Sequence, residues 1–236
     1  MRALILAAGE GRRLRPLTQI APKPLVRVAG EALIVRQILA LKRAGIVEFV
    51  VNAAHGARIL MAELGDGSRW GVSIEWSVEG TRTADALETR GGIVRALALL
   101  TRGGEERFLV AAGDIATNYD FAGLRARAEG LSHAGGLAHL VLVPNPSFHA
   151  KGDFGLENGR IVRSGAEKFT FSSLAAYDAA LFEGLDDARA PLFPWMFGAI
   201  DAGRVTGEVF RGRWANVGTL EEFGRAEALF GEGGAS

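Results

Sequence analysis

The chain of 236 residues has no cysteine, which excludes disulfides, thiolate metal sites and a cysteine nucleophile and is neutral about compartment. Histidine is scarce: the four, at 55, 133, 139 and 149, show no metal-ligand spacing, and His139 reads as a core or edge residue of an apolar strand. No serine, histidine and carboxylate arrangement points to an acyl-enzyme. Charge of one sign is not in excess, since Lys+Arg and Asp+Glu are both 27, so no global field recruits nucleic acid or an anionic membrane. Long apolar runs are missing as well. The run near the N-terminus, Ala3 to Ala8, is far too short for a membrane span or a signal peptide's core, so the chain is expected to stay in the cytoplasm. Lysine is rare among the cations, at positions 23, 42, 151 and 168 alone.

The hydrophobic share, 48%, is enough for a substantial core, and no linker, repeat or low-complexity segment divides the chain, so residues 1–236 are expected to form one domain. Leu4 to Ala8, Phe49 to Val51, Val72 to Ser77 and Arg107 to Ala112 read as strands, and Leu33 to Ala44, Gly56 to Leu64 and Glu88 to Leu100 as helices. That alternation predicts an α/β fold, a doubly wound, mostly parallel sheet flanked by helices. The second half is less regular: Leu137 to Val143 and Phe169 to Tyr177 look extended, Gly155 to Ser164 reads as a hairpin around Asn158-Gly159, and Thr219-Leu220-Glu221-Glu222 is a capping box opening a helix through about Phe230.

The first strand runs into Gly9-Glu10-Gly11-Arg12-Arg13-Leu14-Arg15-Pro16, and Pro22-Lys23-Pro24-Leu25 follows. Open α/β sheets bind ligands at the carboxyl ends of their strands. Gly9 and Gly11 let backbone N–H groups approach anionic oxygens, Arg13 and Arg15 add forked donors, and Lys23 between two prolines is an aimed point charge. The pattern fits a phosphate group. It is not a dinucleotide fingerprint, because Leu14 stands where the third glycine belongs, and no Gly-Lys-Ser/Thr completes a Walker loop.

The loop, with its Arg-Leu-Arg-Pro-Leu-Thr continuation and the Pro-Lys-Pro-Leu, resembles the signature of the nucleotide-sugar pyrophosphorylases, which join a nucleoside triphosphate to a sugar 1-phosphate. The resemblance runs from about Met1 to Phe230 and implies a Rossmann-like fold of the nucleotide-diphospho-sugar transferase type. Leu87-Glu88-Thr89-Arg90-Gly91-Gly92 and the segments Val143 to Pro146, Lys151 to Phe154 and Glu167-Lys168 are similar to those of the uridylyltransferase branch that serves cell-wall sugar recycling. That branch implies UMP transfer from UTP to N-acetylmuramate 1-phosphate, release of pyrophosphate, and Mg²⁺ as cofactor. By the same resemblance residues 1–115 mainly hold the nucleotide and 116–236 the sugar. Ala8, Gly9, Gly11, Arg12, Arg13, Lys23, Thr89 and Gly91 are then the nucleotide contacts, and Arg13, Lys23 and Asp114 the catalytic set. Ala112, Asn145, Asp153, Glu167, Lys168 and Asn216 face the sugar phosphate, and Asp114 and Asn216 the metal.

Two positions depart from the family's pattern. Trp214-Ala215-Asn216-Val217-Gly218-Thr219 carries asparagine where the family has aspartate, which removes one negative charge from the metal's surroundings and predicts weaker Mg²⁺ binding. Arg90 replaces a glycine and is expected to add bulk and charge near the nucleotide, after a stretch from Thr81 to Ala86 that is longer than usual. Two other readings stay open at this level. One is a different pairing, such as guanylyl transfer to mannose 1-phosphate or cytidylyl transfer. The other is a nucleotide-sugar binding protein without catalysis, which Asn216 favours. The sequence carries no signal for an oligomeric state.

Overall fold

The computed structural model describes residues 1–131 and 135–231. His133 lies outside them. The strands of the first half are β1 (Arg2–Leu6), the short ribbon β2 (Arg27–Val28) and β3 (Glu31–Ala32), β4 (Glu48–Ala53), β5 (Ser73–Val78), β6 (Arg107–Ala112) and β7 (Ile115–Thr117). The second half contributes β8 (Ala138–Val143), β9 (Gly155–Glu157), β10 (Arg160–Val162), β11 (Thr170–Asp178), β12 (Val205–Val209) and β13 (Trp214–Asn216). The helices are α1 (Leu17–Ile20), α2 (Leu33–Arg43), α3 (Ala57–Leu64), α4 (Glu88–Leu100), α5 (Phe121–Glu129), α6 (Phe197–Asp201) and α7 (Leu220–Phe230).

Nine strands form one mixed sheet in the order β5-β4-β1-β6-β11-β8-β12-β10-β9. β5, β4, β1 and β6 are parallel, with Leu4 opposite both Val50 and Val110. β11 runs antiparallel to β6 and β8, and β12 lies parallel to β8. The expected α/β fold is present, with a parallel half built from crossovers and an antiparallel extension.

Successive side chains on a strand point to opposite faces, and both faces are apolar here. Ile5, Val51, Leu109 and Leu174 join Ile34, Ile38, Leu60 and Leu124 on one side, against α2, α3 and α5. Leu4, Val50, Val110 and Tyr177 join Ile93, Ala96 and Ile200 on the other, against α4 and α6. A third cluster places Leu14 with Val26, Val28, Ala116, Val217 and Ala226. Leu14 is fully buried, so the residue that breaks the dinucleotide fingerprint anchors the loop that follows β1. Burying it contributes about 2 kcal/mol and ties the loop to the C-terminal helix. No helix among the described residues is long and apolar enough to cross a membrane.

Candidate active site

The expected first strand ends two residues early, at Leu6, and the chain turns upward at Ala7 because its N–H donates to the buried Asn52 side chain at 2.6 Å. Asn52 in turn donates to Glu79 at 2.6 Å, and the other Glu79 oxygen accepts from Leu87 N–H at 2.8 Å. The ends of β1, β4 and β5 are thus linked to the start of α4 through two polar side chains and three hydrogen bonds. Burial pushes the Glu79 carboxyl above its ordinary value.

Gly11 has a left-handed backbone, φ 69°, and a Cβ there would press at 3.0 Å on both Lys23 Cβ and Thr18 Cγ2. Both constraints require glycine. Thr18 Oγ1 donates to Gly11 C=O at 3.0 Å and closes the loop. Lys23 begins a tight turn, Lys23–Leu25, and is only 9% exposed. Its Nζ donates to the Asp114 carboxylate, so the lysine of the phosphate loop and the aspartate beyond β6 meet across the crevice. Gly113 makes that approach possible: its N–H donates to Leu6 C=O at 2.8 Å, and a Cβ would stand 3.1 Å from that oxygen.

A cleft of about 440 Å³ opens above these strand ends. Gly9, Lys23, Thr89, Ala112 and Asp114, all expected site residues, line it. Ala8 and Gly11 belong to the loop at its edge. Arg12 is held by Glu10 at 2.6 Å and Arg15 by the same carboxylate at 3.3 Å. The Thr83 hydroxyl of the 81–86 stretch, then Arg12, keep the Glu10 carboxyl below its usual value. Asp85 braces that stretch, accepting from the Thr81 and Arg82 N–H groups. Arg13 is exposed and has no hydrogen-bond or ion-pair partner among the described residues.

Gly91 does not line the cleft. It is buried under the segment 186–193, where a Cβ would lie 2.5 Å from Ala188 C=O, while Ala190 C=O accepts from Arg90 and Gly91 N–H. Pro191, Leu192 and Phe193 of the same segment do line the cleft. Arg90 turns away from it, with its guanidinium 5.6 Å from the centre of the Trp195 ring, so the bulk expected beside the nucleotide is spent on that packing.

Of the expected sugar-side residues, Asn145, Asp153, Glu167 and Lys168 fall outside the lining of the main cleft, whereas Ala112 belongs to it. Asn145 is a brace: its amide donates to Lys168 C=O at 2.9 Å and Ala150 C=O at 3.2 Å and accepts from Thr170 Oγ1 at 2.9 Å. Asp153 accepts from Phe171 N–H at 2.8 Å and pairs with His149 at 2.9 Å. Asp153 and Lys168 border a depression of about 480 Å³ that shares Phe154 and Phe197 with an aromatic wall. Phe193, which lines the main cleft, packs on Phe154 at 4.9 Å and on Phe171 at 5.9 Å. Glu167 is exposed. Phe171, Ser173, Tyr177 and the 191–193 segment are cleft residues that sequence reasoning passed over. The pair Ser172-Ser173 inside an apolar run was the available signal.

Asn216 is carried to Asp114 by pairing of β13 with β7 and by Val217 N–H donating to Asp114 C=O at 3.0 Å. A Cβ on Gly218 would lie 2.8 Å from Glu222 Oε2, 3.4 Å from Arg13 Nη2 and 3.6 Å from Asn216 Nδ2, so these groups converge beside the crevice. Among the described residues no three His, Cys, Asp or Glu side chains could hold a metal by themselves. One carboxylate and one amide oxygen nevertheless suit a hard cation whose shell is completed by phosphate oxygens and water.

The sequence profile of the nucleotidyl transferase family matches residues 2–168. The chain belongs to that family. It is 42% identical, over 98% of its length and 99% of the relative's, to N-acetylmuramate alpha-1-phosphate uridylyltransferase of Neisseria meningitidis serogroup B. It is 27% identical over 94% of its length, and 62% of the relative's, to a mannose-1-phosphate guanyltransferase beta-B of Xenopus laevis. A solved structure described as a glucose-1-phosphate thymidylyltransferase of Bacillus anthracis superposes with a TM-score of 0.80 over 97% of this chain and 94% of that one, at 21% identity, and shares the fold.

Proposed function

We propose that the chain transfers UMP from UTP to N-acetylmuramate 1-phosphate and releases pyrophosphate, the reaction that makes a nucleotide sugar during cell-wall recycling. The observation that carries this reading is the meeting of Lys23 and Asp114 in the lining of a cleft of about 440 Å³, in a chain 42% identical over nearly its whole length to an enzyme named for that reaction.

In this account the loop 8–13, with Thr89 and the wall that Gly91 supports, receives the nucleotide. The residues beyond 115 receive the sugar, as the two halves of the chain predict. Lys23 and the unpaired Arg13 hold the triphosphate and compensate the charge that develops as it reacts. A phosphate oxygen of the sugar phosphate attacks the α-phosphorus in line, the new P–O bond forms, and the bond to the bridging oxygen breaks as pyrophosphate departs. Catalysis is positioning and charge compensation, with no covalent enzyme intermediate. Asp114 and Asn216 are the residues that would hold Mg²⁺, which supplies further charge neutralisation on the phosphates when bound. With Lys23 engaged by the triphosphate, the Asp114 carboxylate would be the negatively charged group of that pair of ligands.

A panel of four nucleoside triphosphates against several sugar 1-phosphates, read by pyrophosphate release, tests the reading. The expected result is a strong preference for UTP with N-acetylmuramate 1-phosphate. Preference for GTP with mannose 1-phosphate contradicts it, and binding without any turnover supports the noncatalytic alternative.

A further inference from the structure

β11 carries an irregularity at the cleft. Phe171 faces Leu142 and Leu174 faces Val141, so Ser172 and Ser173 are extra residues on this strand, and the bulge re-aims what it carries. Ser172 is fully buried and clamped: its hydroxyl donates to Val141 C=O at 2.6 Å and accepts from Leu174 N–H at 3.2 Å, and its C=O accepts from Trp214 Nε1 at 3.1 Å. Ser173 is different. Its φ is 64°, a left-handed backbone that serine adopts only at a cost, and it lines the cleft with Lys23 and Asp114. Its half-buried hydroxyl has no hydrogen-bond partner among the described residues.

We propose that Ser173 binds the sugar phosphate: its hydroxyl hydrogen-bonds an oxygen of that substrate, and the strained backbone is retained because it presents the hydroxyl to the cleft. An observed strained residue at a site is a sound starting point for a functional role. The surrounding elements choose between the substrates. The phosphate loop follows β1 and α4 packs on β1, β4 and β5, whereas β11 lies on the far side of β6 from all of them. Ser173 therefore faces the acceptor half of the cleft, beside Phe171 and Tyr177. This inference rests on the nucleotidyl-transfer reading above.

Two variants separate the hydroxyl from the strain. Ser173→Ala keeps the left-handed backbone and removes one hydrogen bond, and is expected to raise KM for N-acetylmuramate 1-phosphate about fivefold with KM for UTP unchanged. Ser173→Gly is expected to raise the same KM and also to raise Tm by about 2 °C, because glycine relieves the strain. Unchanged KM for the sugar phosphate in both variants, or an equal rise in KM for UTP, overturns the assignment. If the unmodified enzyme neither releases pyrophosphate nor binds the sugar phosphate by calorimetry, the transfer reading itself falls and the assignment with it.

Discussion

Lys23 and Asp114, 91 positions apart in sequence, form an ion pair whose lysine is nearly buried and whose aspartate is partly open to the cleft. Such a pair is poised for exchange. In the proposed reaction an arriving triphosphate would offer Lys23 a more highly charged partner and leave the aspartate to face a cation. Replacing Lys23 by alanine is therefore expected to lower kcat by roughly two to three orders of magnitude, the effect of losing one preorganised electrostatic donor. Steady-state pyrophosphate release at saturating substrates checks this, and near-normal kcat would remove Lys23 from the reaction.

Asn216→Asp is expected to tighten Mn²⁺ or Mg²⁺ binding about tenfold by adding one charge beside Asp114, since affinity for hard cations follows the charge count of the ligands. Glu222 already brings a buried carboxylate to the same corner, and its hydrogen bond from Gly218 N–H at 2.7 Å keeps it there. Mn²⁺ titration in the presence of a nonhydrolysable UTP analogue reads the change directly. No gain in affinity would mean that position 216 does not face the cation.

Gly91→Val forces a side chain against Ala188 C=O, where even a Cβ has only 2.5 Å. Backbone cannot retreat cheaply, and the expected loss is about 1–3 kcal/mol of stability in urea unfolding. Because the displaced segment carries Pro191 to Phe193 into the cleft, KM for UTP should rise in the same variant.

His139 is buried and neutral, with its value pushed down from 6.5 to about 4 by burial. Its Nδ1 is bonded to Thr206 Oγ1 at 2.9 Å and Glu208 stands 4.0 Å from Nε2. The unfolded chain takes up a proton near pH 6.5 and the folded protein does not. The histidine's contribution to stability is therefore complete above that pH and is lost as pH falls from about 6.5 to 4, by about 3 kcal/mol in all. Urea unfolding across this window should show that slope in the native protein and a flatter one in His139→Gln.

The parallel half of the sheet was legible because its strands are continuous apolar runs, and α4 matches its expected bounds, Glu88–Leu100. α5 was not, because Gly123 and the arginines of Phe121–Glu129 interrupt it and leave only Phe121, Leu124 and Ala128 as an inward stripe. β12 was hidden by Gly207, where a Cβ would lie 2.4 Å from the tip of Ile161 and 3.0 Å from Leu140 C=O. Lys23 and Asp114 could be named from their motifs, but their direct contact depends on the β1 and β6 register, which no local pattern encodes. The bracing role of Asn145 and the turn of Arg90 toward Trp195 are likewise products of packing between distant segments.

The most direct measurement is pyrophosphate release from UTP and N-acetylmuramate 1-phosphate, with Mg²⁺ and after its removal by a chelator, with the nucleotide product identified by mass spectrometry. Pyrophosphate and the UDP-sugar are expected in equal amounts with Mg²⁺ present, and neither after chelation. Tight binding of both substrates with no pyrophosphate at any Mg²⁺ concentration would contradict the proposed reaction.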